Sequence, residues 1–162
     1  MIVYHGTTME IKEPNVSFSK NYLDFGKGFY VTTYKEQAER WALRKALRLN
    51  KEAVVNIYEL NENNNAKILN FETENEAWID FVCDCRRGGK EYENYDIIKG
   101  GVADDNVFKA IDMYEKGIWD KKRTLEELKC YKTNDQICIV NQKNIETQLV
   151  FLESYKVGDK ND

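Results

Sequence analysis

Two short strand patterns, each next to glycine, constrain the fold of this chain most strongly. Residues 2–5 are rich in β-prone side chains and run directly into Gly6. A second pattern covers residues 29–32, where aromatic and β-branched side chains follow Gly26 and Gly28. Glycines two positions apart favour a close approach of the backbone or a positive φ. The sequence therefore predicts two strands that adjoin tight, glycine-dependent segments.

The rest of the chain alternates irregularly between strand-like and helix-like patterns. Residues 7–21 are polar and contain the only proline, Pro14, which predicts a loop with at most one helical turn. Further strands are predicted at residues 53–60, 66–71, 95–99, 136–140 and 148–152, and helices at about 34–49, 74–86 and 107–116. Another short helix is predicted with Thr124 as its N-cap. Because no regular βαβ alternation is present, we expect an α+β fold with a mostly antiparallel or mixed sheet.

The first long helix carries both a capping pattern and an amphipathic pattern. Thr33 and Glu36 match a capping box, which predicts a helix start near residue 34. The apolar positions form one stripe that we expect to be buried: Ala38, Trp41, Ala42, Ala46 and Leu49. Basic side chains lie outside that stripe, at Arg40, Arg44, Lys45 and Arg48. We interpret Arg40, Arg44 and Arg48 mainly as a solvated face, with a contact to phosphate groups or to a nucleic-acid acceptor as the alternative.

Composition favours one globular domain. The chain has 162 residues, of which 42% are hydrophobic and 32% charged, so it can bury a core without disulfides or metal ions. We expect a single domain over residues 1–155, followed by a charged tail at 156–162. The net charge of −4 argues against general binding of nucleic acid through its phosphate backbone.

Neither a secretion signal nor a membrane span is visible in the sequence. No apolar segment approaches the roughly 18 residues that a membrane span requires, so we expect a cytoplasmic protein with no membrane partner. The cysteines at positions 83, 85, 130 and 138 are then expected to be reduced residues of the core or of helices. Cys83 and Cys85 are a weak metal-binding signal, because the chain has one histidine and no second close cysteine pair. No metal is therefore expected.

His5 is the only histidine in the chain and directly precedes Gly6 and Thr7. A lone histidine near a strand end is more often a structural hydrogen-bonding group than a catalytic one. The adjoining Gly6 and Thr7, together with the glycine-linked strand that contains Tyr30, favour a functional role over the structural one. Tyr30 alone would be interpreted as a core side chain, and Gly26 as a turn glycine.

Several short segments carry, by their order and spacing, a resemblance to a known family. They are His5-Gly6-Thr7, residues 28–32, the helix positions Gln37-Ala38 and Trp41-Ala42, Val102-Ala103-Asp104-Asp105, and Asp135-Gln136-Ile137. Over residues 1–155 the chain resembles a bacterial family catalogued as a domain of unknown function. That family is similar to the ADP-ribosyltransferase superfamily, in its branch of diphtheria toxin and poly(ADP-ribose) polymerases.

The resemblance implies a split mixed or antiparallel β-sheet with flanking helices, which binds NAD through a triad of the His-Tyr-Glu type. In such enzymes a histidine of the first strand contacts the ribose on the nicotinamide side, which indicates His5 here. The backbone of the next glycine holds the nicotinamide amide, and a tyrosine of the second strand stacks on the nicotinamide ring. These correspond to Gly6 and Tyr30. Thr7 and Gly28 lie beside them and are expected to contact NAD.

The third member of the triad is expected at the start of a late strand, where this chain has Gln136 instead of glutamate. Glutamine keeps the hydrogen bonds but lacks the charge and cannot act as a base. Asp104 and Asp105 are the substitute acids that the sequence suggests. Their alternative interpretation is N-capping of the helix at 107–116, where carboxylates favour the positive end of the helix dipole.

The leading hypothesis is an NAD-dependent mono-ADP-ribosyltransferase, a glycosyltransferase that modifies a protein or nucleic acid acceptor. An accompanying hypothesis makes it the toxin of a toxin–antitoxin pair, with an antitoxin protein as partner. The missing glutamate motivates two alternatives, an NAD- or nucleotide-binding module without transferase activity and an NAD glycohydrolase. An interaction protein without affinity for nucleotides is a further alternative.

Overall fold

The computed structural model describes residues 1–62, 65–103, 105–128 and 134–158, with Asp105 described in its backbone only. The strands within these ranges are β1 (Ile2–Thr7), β2 (Phe29–Val31), β3 (Val54–Leu60), β4 (Ile68–Asn70), β5 (Ile97–Gly100), β6 (Gln136–Ile139) and β7 (Leu149–Lys156). The α-helices are α1 (Lys35–Leu49), α2 (Glu76–Arg86), α3 (Asp105–Glu115), α4 (Lys121–Leu128) and α5 (Gln142–Gln148). Short 3-10 helices lie at Val16–Phe18 and Glu91–Asn94.

The strands form two sheets that meet at one point. In the first sheet β3 lies between β1 and β7, and both pairings are antiparallel. The second sheet has the order β2-β6-β5-β4, in which β4 and β5 are parallel and the other pairs antiparallel. The sheets meet where the backbones of Tyr4 and Thr32 exchange hydrogen bonds of 2.8 and 2.9 Å. The predicted α+β fold, with one mixed sheet, is confirmed.

Side chains from both sheets pack into a shared core. Val3 of β1 and Tyr58 of β3 are fully buried in one cluster with Ile97 and Ile139 of the second sheet. Helices α2 and α3 pack into another apolar cluster, which is built around the fully buried Trp78 of α2. Because neighbouring side chains of a strand point to opposite faces, the four-stranded sheet is buried on both sides.

Helix α1 packs against the three-stranded sheet through small side chains. Ala38, Ala42 and Ala46 are four residues apart, so they share one face of the helix, and they are buried in a cluster with Val55 of β3. A Cβ atom on Gly6 of β1 would come within 2.0 Å of the carbonyl oxygen of Ala38. Strand β1 therefore lies against α1 at a distance that only glycine permits.

The start of α1 agrees with the prediction, but its cap does not. The helix begins at Lys35, and no side chain caps it from Tyr34. The N–H of Tyr34 instead donates to Oγ1 of Thr32 at 3.1 Å. The predicted capping box between Thr33 and Glu36 is therefore absent. Thr32, the residue before Thr33, accepts the hydrogen bond near the start of the helix instead.

Helix α4 begins four residues earlier than predicted. Asp120 precedes the helix and accepts a hydrogen bond from the N–H of Arg123 at 2.8 Å, which is the geometry of an N-cap. Thr124 is fully buried inside the helix and donates from its hydroxyl to the carbonyl of Asp120. The prediction that Thr124 caps this helix is wrong, because the aspartate four positions earlier already does so.

Near the C-terminus one helix was not predicted, and the predicted strand at 148–152 is longer than expected. Helix α5 has only one apolar side chain, Ile145, so it shows no hydrophobic periodicity; its cap is Asn141, which accepts from the N–H of Lys143. Strand β7 continues to Lys156 and so enters the predicted charged tail. Residues 159–162 of that tail lie outside the described part of the chain.

Cys83, Cys85 and Cys138 are free and buried, as predicted for core cysteines, and Cys130 lies outside the described residues. Within the described ranges no three His, Cys, Asp or Glu side chains are grouped as metal ligands would be. No helix among these residues is long and apolar enough to cross a membrane.

Candidate functional site

A cavity of about 870 Å³ opens where β1, β2 and the start of β6 approach one another beside α1. Its volume falls within the range of small-molecule and cofactor pockets. Five residues that the sequence indicated as site residues line it: His5, Thr7, Gly28, Tyr30 and Gln136. The fold therefore brings together positions that are far apart in the sequence.

The wall formed by the loop after β1 is fixed by two buried side chains of β3. Asn56 accepts from the N–H of Ile11 at 2.8 Å and donates to the carbonyl of Met9 at 3.0 Å. The hydroxyl of Tyr58 donates to the carbonyl of Ile11 at 2.5 Å. Because Met9 and Ile11 line the cavity, these bonds hold one side of it in place.

His5 is held through its Nδ1 atom, which lies 2.6 Å from the carbonyl oxygen of Tyr30. Because a carbonyl only accepts hydrogen bonds, Nδ1 carries a proton. Burial, assisted by the positive charge of Lys45 and opposed by the bond to Tyr30, lowers the pKa of His5 from 6.5 to about 4. The imidazole is therefore neutral at pH 7, and Nε2 can accept a hydrogen bond from a ligand hydroxyl.

The lowered pKa of His5 predicts a loss of stability in mild acid. As the pH falls below 6.5 the unfolded chain binds the proton, whereas the folded chain binds it only near pH 4, so the free energy of unfolding decreases across this window. The upper limit of that decrease is about 3 kcal/mol. His5→Asn, whose amide can donate to the same carbonyl of Tyr30, should remove this component. Urea unfolding of both proteins at pH 7 and pH 4 measures it, and an identical pH dependence would contradict it.

Gly6 contributes its backbone to an open strand edge. The N–H and C=O of Tyr4 point towards β2, where they bond Thr32. Strand backbone groups alternate sides with a period of two residues, so those of Gly6 point to the same edge. Continuing the antiparallel register from Tyr4 and Thr32 sets Gly6 opposite Tyr30, where the two strands no longer pair. Gly6 thus has a backbone donor and acceptor on the edge that faces Tyr30, but unlike His5 and Thr7 it does not itself line the cavity.

Tyr30 lines the cavity while its hydroxyl is fixed by the backbone of the preceding turn. The hydroxyl donates to the carbonyl of Gly26 at 2.5 Å and accepts from the N–H of Phe25 at 3.0 Å. Burial raises the pKa of Tyr30 well above its ordinary value, so the phenol stays protonated. Gly26 has a φ of +78°, which confirms its predicted role as a turn glycine. The ring is consequently a fixed surface on which a flat ligand can stack.

Thr7 and Gly28 flank this surface and have structural partners of their own. Thr7 is buried, and its Oγ1 accepts from Nζ of Lys45 at 3.2 Å. Gly28 donates from its N–H to Oγ of Ser19 at 3.0 Å. A Cβ atom at Gly28 would lie 2.4 Å from Sγ of Cys138, so a larger residue would push the cavity wall away from β6.

Gln136 is the first residue of β6, which is the position predicted for the third member of the triad. Its Nε2 donates to Oδ2 of Asp24 at 3.0 Å and to the carbonyl of Gly101 at 3.1 Å. Because both partners only accept, they fix the amide with its nitrogen towards them. The preceding Asp135 accepts from Oγ1 of Thr32 at 2.6 Å, which ties the start of β6 to β2.

Asp24 is a site residue that the sequence analysis missed. Its side chain lines the cavity, is only 9% exposed, and accepts from Gln136 and from the N–H of Ala103 at 3.2 Å. Burial raises the pKa of Asp24, and these hydrogen bonds and the charge of Arg86 oppose the rise. In the sequence, Asp24 is visible only as an acidic residue before the glycine-linked strand. An acidic residue at such a place is equally typical of a turn.

Asp104 lies outside the described residues, and Asp105 begins α3 with a side chain that is not described. Their proposed roles, as substitute acids or as helix caps, stay predictions. Among the described residues, the carboxylate that is hydrogen-bonded to the side chain of Gln136 is that of Asp24.

Positive side chains form one part of the cavity wall. Lys12, Lys20, Lys45 and Arg48 line it, together with Glu10 and Glu13, and Lys12 pairs with Glu10 at 3.6 Å. Burial and the charges of Lys20, Arg48 and Lys51 lower the pKa of Lys45, which shows that these cations are close together. Lys45 lies to the side of the buried stripe of α1, where it is partly buried against Thr7. A cluster of this kind attracts phosphate groups.

Two large side chains of α1 are less buried than predicted. Trp41 is partly exposed and lines the cavity, and Leu49 is 43% exposed. The buried face of α1 follows the alanines at 38, 42 and 46, which allow the helix to approach β1 closely. Trp41 lies on the flank of that face, so its ring reaches the cavity instead of the core.

The fold and the site together define an α+β domain with a ligand-sized cavity between its sheets. The model of the family described as "Protein of unknown function (DUF3990)" matches residues 1–151, so the chain belongs to that family. No curated protein matches the chain.

Proposed function

We propose that the protein is an NAD-dependent mono-ADP-ribosyltransferase that acts on a macromolecular acceptor, either protein or nucleic acid. One observation carries the proposal: His5 of β1, Tyr30 of β2 and Gln136 of β6 line the same cavity. The three side chains offer a hydroxyl acceptor, a stacking surface and an oriented amide. The open strand edge at Gly6 adds a backbone donor and acceptor that match a carboxamide.

Each of these groups has a separate role in binding NAD. His5 accepts a hydrogen bond from a hydroxyl of the nicotinamide-side ribose through Nε2. The ring of Tyr30 stacks on the nicotinamide ring, and the backbone of Gly6 bonds the nicotinamide carboxamide. Holding the ring and the ribose in one orientation exposes C1′ of the ribose to an incoming nucleophile.

The reaction breaks the bond between the nicotinamide nitrogen and C1′ of the ribose. The electron pair of that bond leaves with nicotinamide, and the ribose acquires oxocarbenium character that nearby negative charge stabilises. The acceptor nucleophile forms the new bond to C1′, and its proton passes to solvent. With water as the nucleophile, the same site would act as an NAD glycohydrolase.

The cationic wall fits the pyrophosphate of NAD. Lys45→Gln removes one charge but keeps an amide donor for Oγ1 of Thr7. We expect this variant to bind NAD about tenfold more weakly, or by about 1.4 kcal/mol. Arg44→Gln removes the same charge from an exposed neighbour that does not line the cavity, and should leave affinity unchanged. Calorimetric titration compares them, and equal affinities would contradict a phosphate site at Lys45.

The direct test is incubation with NAD labelled in its adenine ring, with the purified chain alone and with cell lysate. Label on a macromolecule supports the transferase. Nicotinamide release without transfer would identify a glycohydrolase, and calorimetric binding without release would identify an NAD-binding module. A chain that neither binds nor cleaves NAD would overturn the proposal.

A cytoplasmic location and a toxin role accompany this proposal. NAD and macromolecular acceptors are both present in the cytoplasm, and unrestrained modification of an essential acceptor would stop growth. Induced expression of the chain without an antitoxin should therefore arrest a bacterial host. Normal growth of cells that contain an active enzyme would contradict the toxin role.

A further inference from the structure

We infer that Asp24 is a positioning residue that acts through Gln136. The two side chains together replace the glutamate of a His-Tyr-Glu triad. Gln136 presents the hydrogen-bond acceptor, and Asp24 supplies the negative charge. The inference rests on the proposed function, because the charge stabilises a positive ribose only where such a ribose forms.

The contact between the two side chains defines the orientation of the amide. Nε2 of Gln136 donates one proton to Asp24 at 3.0 Å and the other to the carbonyl of Gly101 at 3.1 Å. Both amide protons are thus used by the protein, and Oε1 has no hydrogen-bond partner among the residues described. Since Gln136 lines the cavity, Oε1 is the atom that it offers to a ligand.

Asp24 is buried against the same cavity. Its Oδ2 accepts hydrogen bonds from Nε2 of Gln136 and from the N–H of Ala103, while Oδ1 has no hydrogen-bond partner in the described ranges. Burial raises the pKa of Asp24, whereas the hydrogen bonds from Gln136 and Ala103 and the charge of Arg86 oppose that rise and favour the ionised carboxylate. Arg86 is itself fixed 3.6 Å above the ring of Phe108, which also lines the cavity. An asparagine could accept the same two hydrogen bonds, so the feature that distinguishes aspartate here is its charge.

The loop that carries Asp24 is held by the stacking tyrosine. The hydroxyl of Tyr30 accepts from the N–H of Phe25, the residue that follows Asp24. A carboxylate that accepts a hydrogen bond from an amide nitrogen increases the partial negative charge on the amide oxygen. As the bond to nicotinamide breaks, the ribose therefore meets an acceptor at Oε1 of Gln136, with the carboxylate of Asp24 hydrogen-bonded to the same amide. No proton is transferred to or from either side chain.

The experiment compares the wild type with Asp24→Asn, Gln136→Glu and the double variant in kinetics of nicotinamide release. Asp24→Asn keeps the shape of the side chain, so we expect kcat to fall about 100-fold while KM changes by less than about threefold. The double variant places the carboxylate at position 136. Its kcat should be at least about tenfold higher than that of Asp24→Asn. Gln136→Glu alone sets two carboxylates in contact and should not exceed the wild-type kcat.

Asp96→Asn is the matched control. Asp96 also accepts a backbone N–H, from Lys67 at 2.8 Å, but lies outside the cavity, so its replacement should leave kcat unchanged. An active wild type together with an Asp24→Asn variant of unchanged kcat overturns this inference and leaves the proposed function standing. A wild type that releases no nicotinamide overturns both. If circular dichroism shows Asp24→Asn to be unfolded, Asp24→Ser replaces it, because it also keeps an oxygen acceptor without the charge: a similar loss of kcat supports the inference, and an unchanged kcat overturns it.

Discussion

Tyr30→Ala is expected to reduce nicotinamide release from NAD by at least about 100-fold. Tyr30 lines the cavity, and its hydroxyl is fixed by two backbone hydrogen bonds. Alanine removes the stacking surface for the nicotinamide ring of the proposed substrate, and it also removes the hydroxyl that holds the segment of Asp24. The measurement is kcat/KM for nicotinamide release at a temperature where the variant is folded.

Tyr30→Phe separates the ring from the hydroxyl. It keeps the stacking surface but leaves the N–H of Phe25 and the carbonyl of Gly26 without their partner. We expect a loss of roughly 1–3 kcal/mol in the free energy of unfolding, because a buried donor is left unsatisfied. The rate of cleavage should fall by only about tenfold, through looser placement of the segment that carries Asp24.

Tyr114→Ala is the control for a general loss of aromatic packing. Tyr114 is partly buried against the same apolar cluster as Tyr30, but it lies outside the cavity. Its replacement should lower stability without lowering the rate of NAD cleavage by the folded protein. Equal rates for Tyr30→Ala and Tyr114→Ala would show that Tyr30 does not hold the substrate.

The parts of the fold that the sequence predicted are those with a strong local pattern. Strands β1 and β2 are short and glycine-linked, and α1 has a clear apolar stripe, so their positions follow from neighbouring residues alone. His5 and Tyr30 were predicted to share a cavity from the resemblance of their motifs, and the structure places both in its lining. Helix α5, with Ile145 as its single apolar side chain, had no such pattern.

The pairing of Asp24 with Gln136 could not be predicted from local patterns. The two residues are 112 positions apart, and they meet because β6 is inserted between β2 and β5. The start of β6 is then fixed by Thr32, through the carboxylate of Asp135. Contacts of this kind depend on strand order, which a single sequence does not determine. Local patterns therefore indicate Asp104 and Asp105 as substitute acids and give no sign of Asp24.

Gly6→Ala is expected to cause a loss of at least about 4 kcal/mol in the free energy of unfolding. The new Cβ atom would lie 2.0 Å from the carbonyl oxygen of Ala38 and 2.9 Å from the nitrogen of Ala42. Both are backbone atoms of α1, so no change of side-chain rotamer relieves the overlap, and the helix must move away from β1. For a domain of this size the thermal midpoint should fall by roughly 8–16 °C, measured by circular dichroism.

Gly117→Ala is the matched control for Gly6→Ala. A Cβ atom at Gly117 would meet no atom within 4 Å, and only its φ of +73° is unfavourable for alanine. That conformation costs about 1 kcal/mol, so the control should lose far less stability. If the two variants unfold at the same temperature, β1 and α1 are not packed as closely as the structure places them. Movement of α1 would also separate Lys45 from Thr7, which now lie 3.2 Å apart across this contact. The fraction of Gly6→Ala that still folds should therefore bind NAD poorly, because one displacement disturbs both the cationic wall and the strand that carries His5.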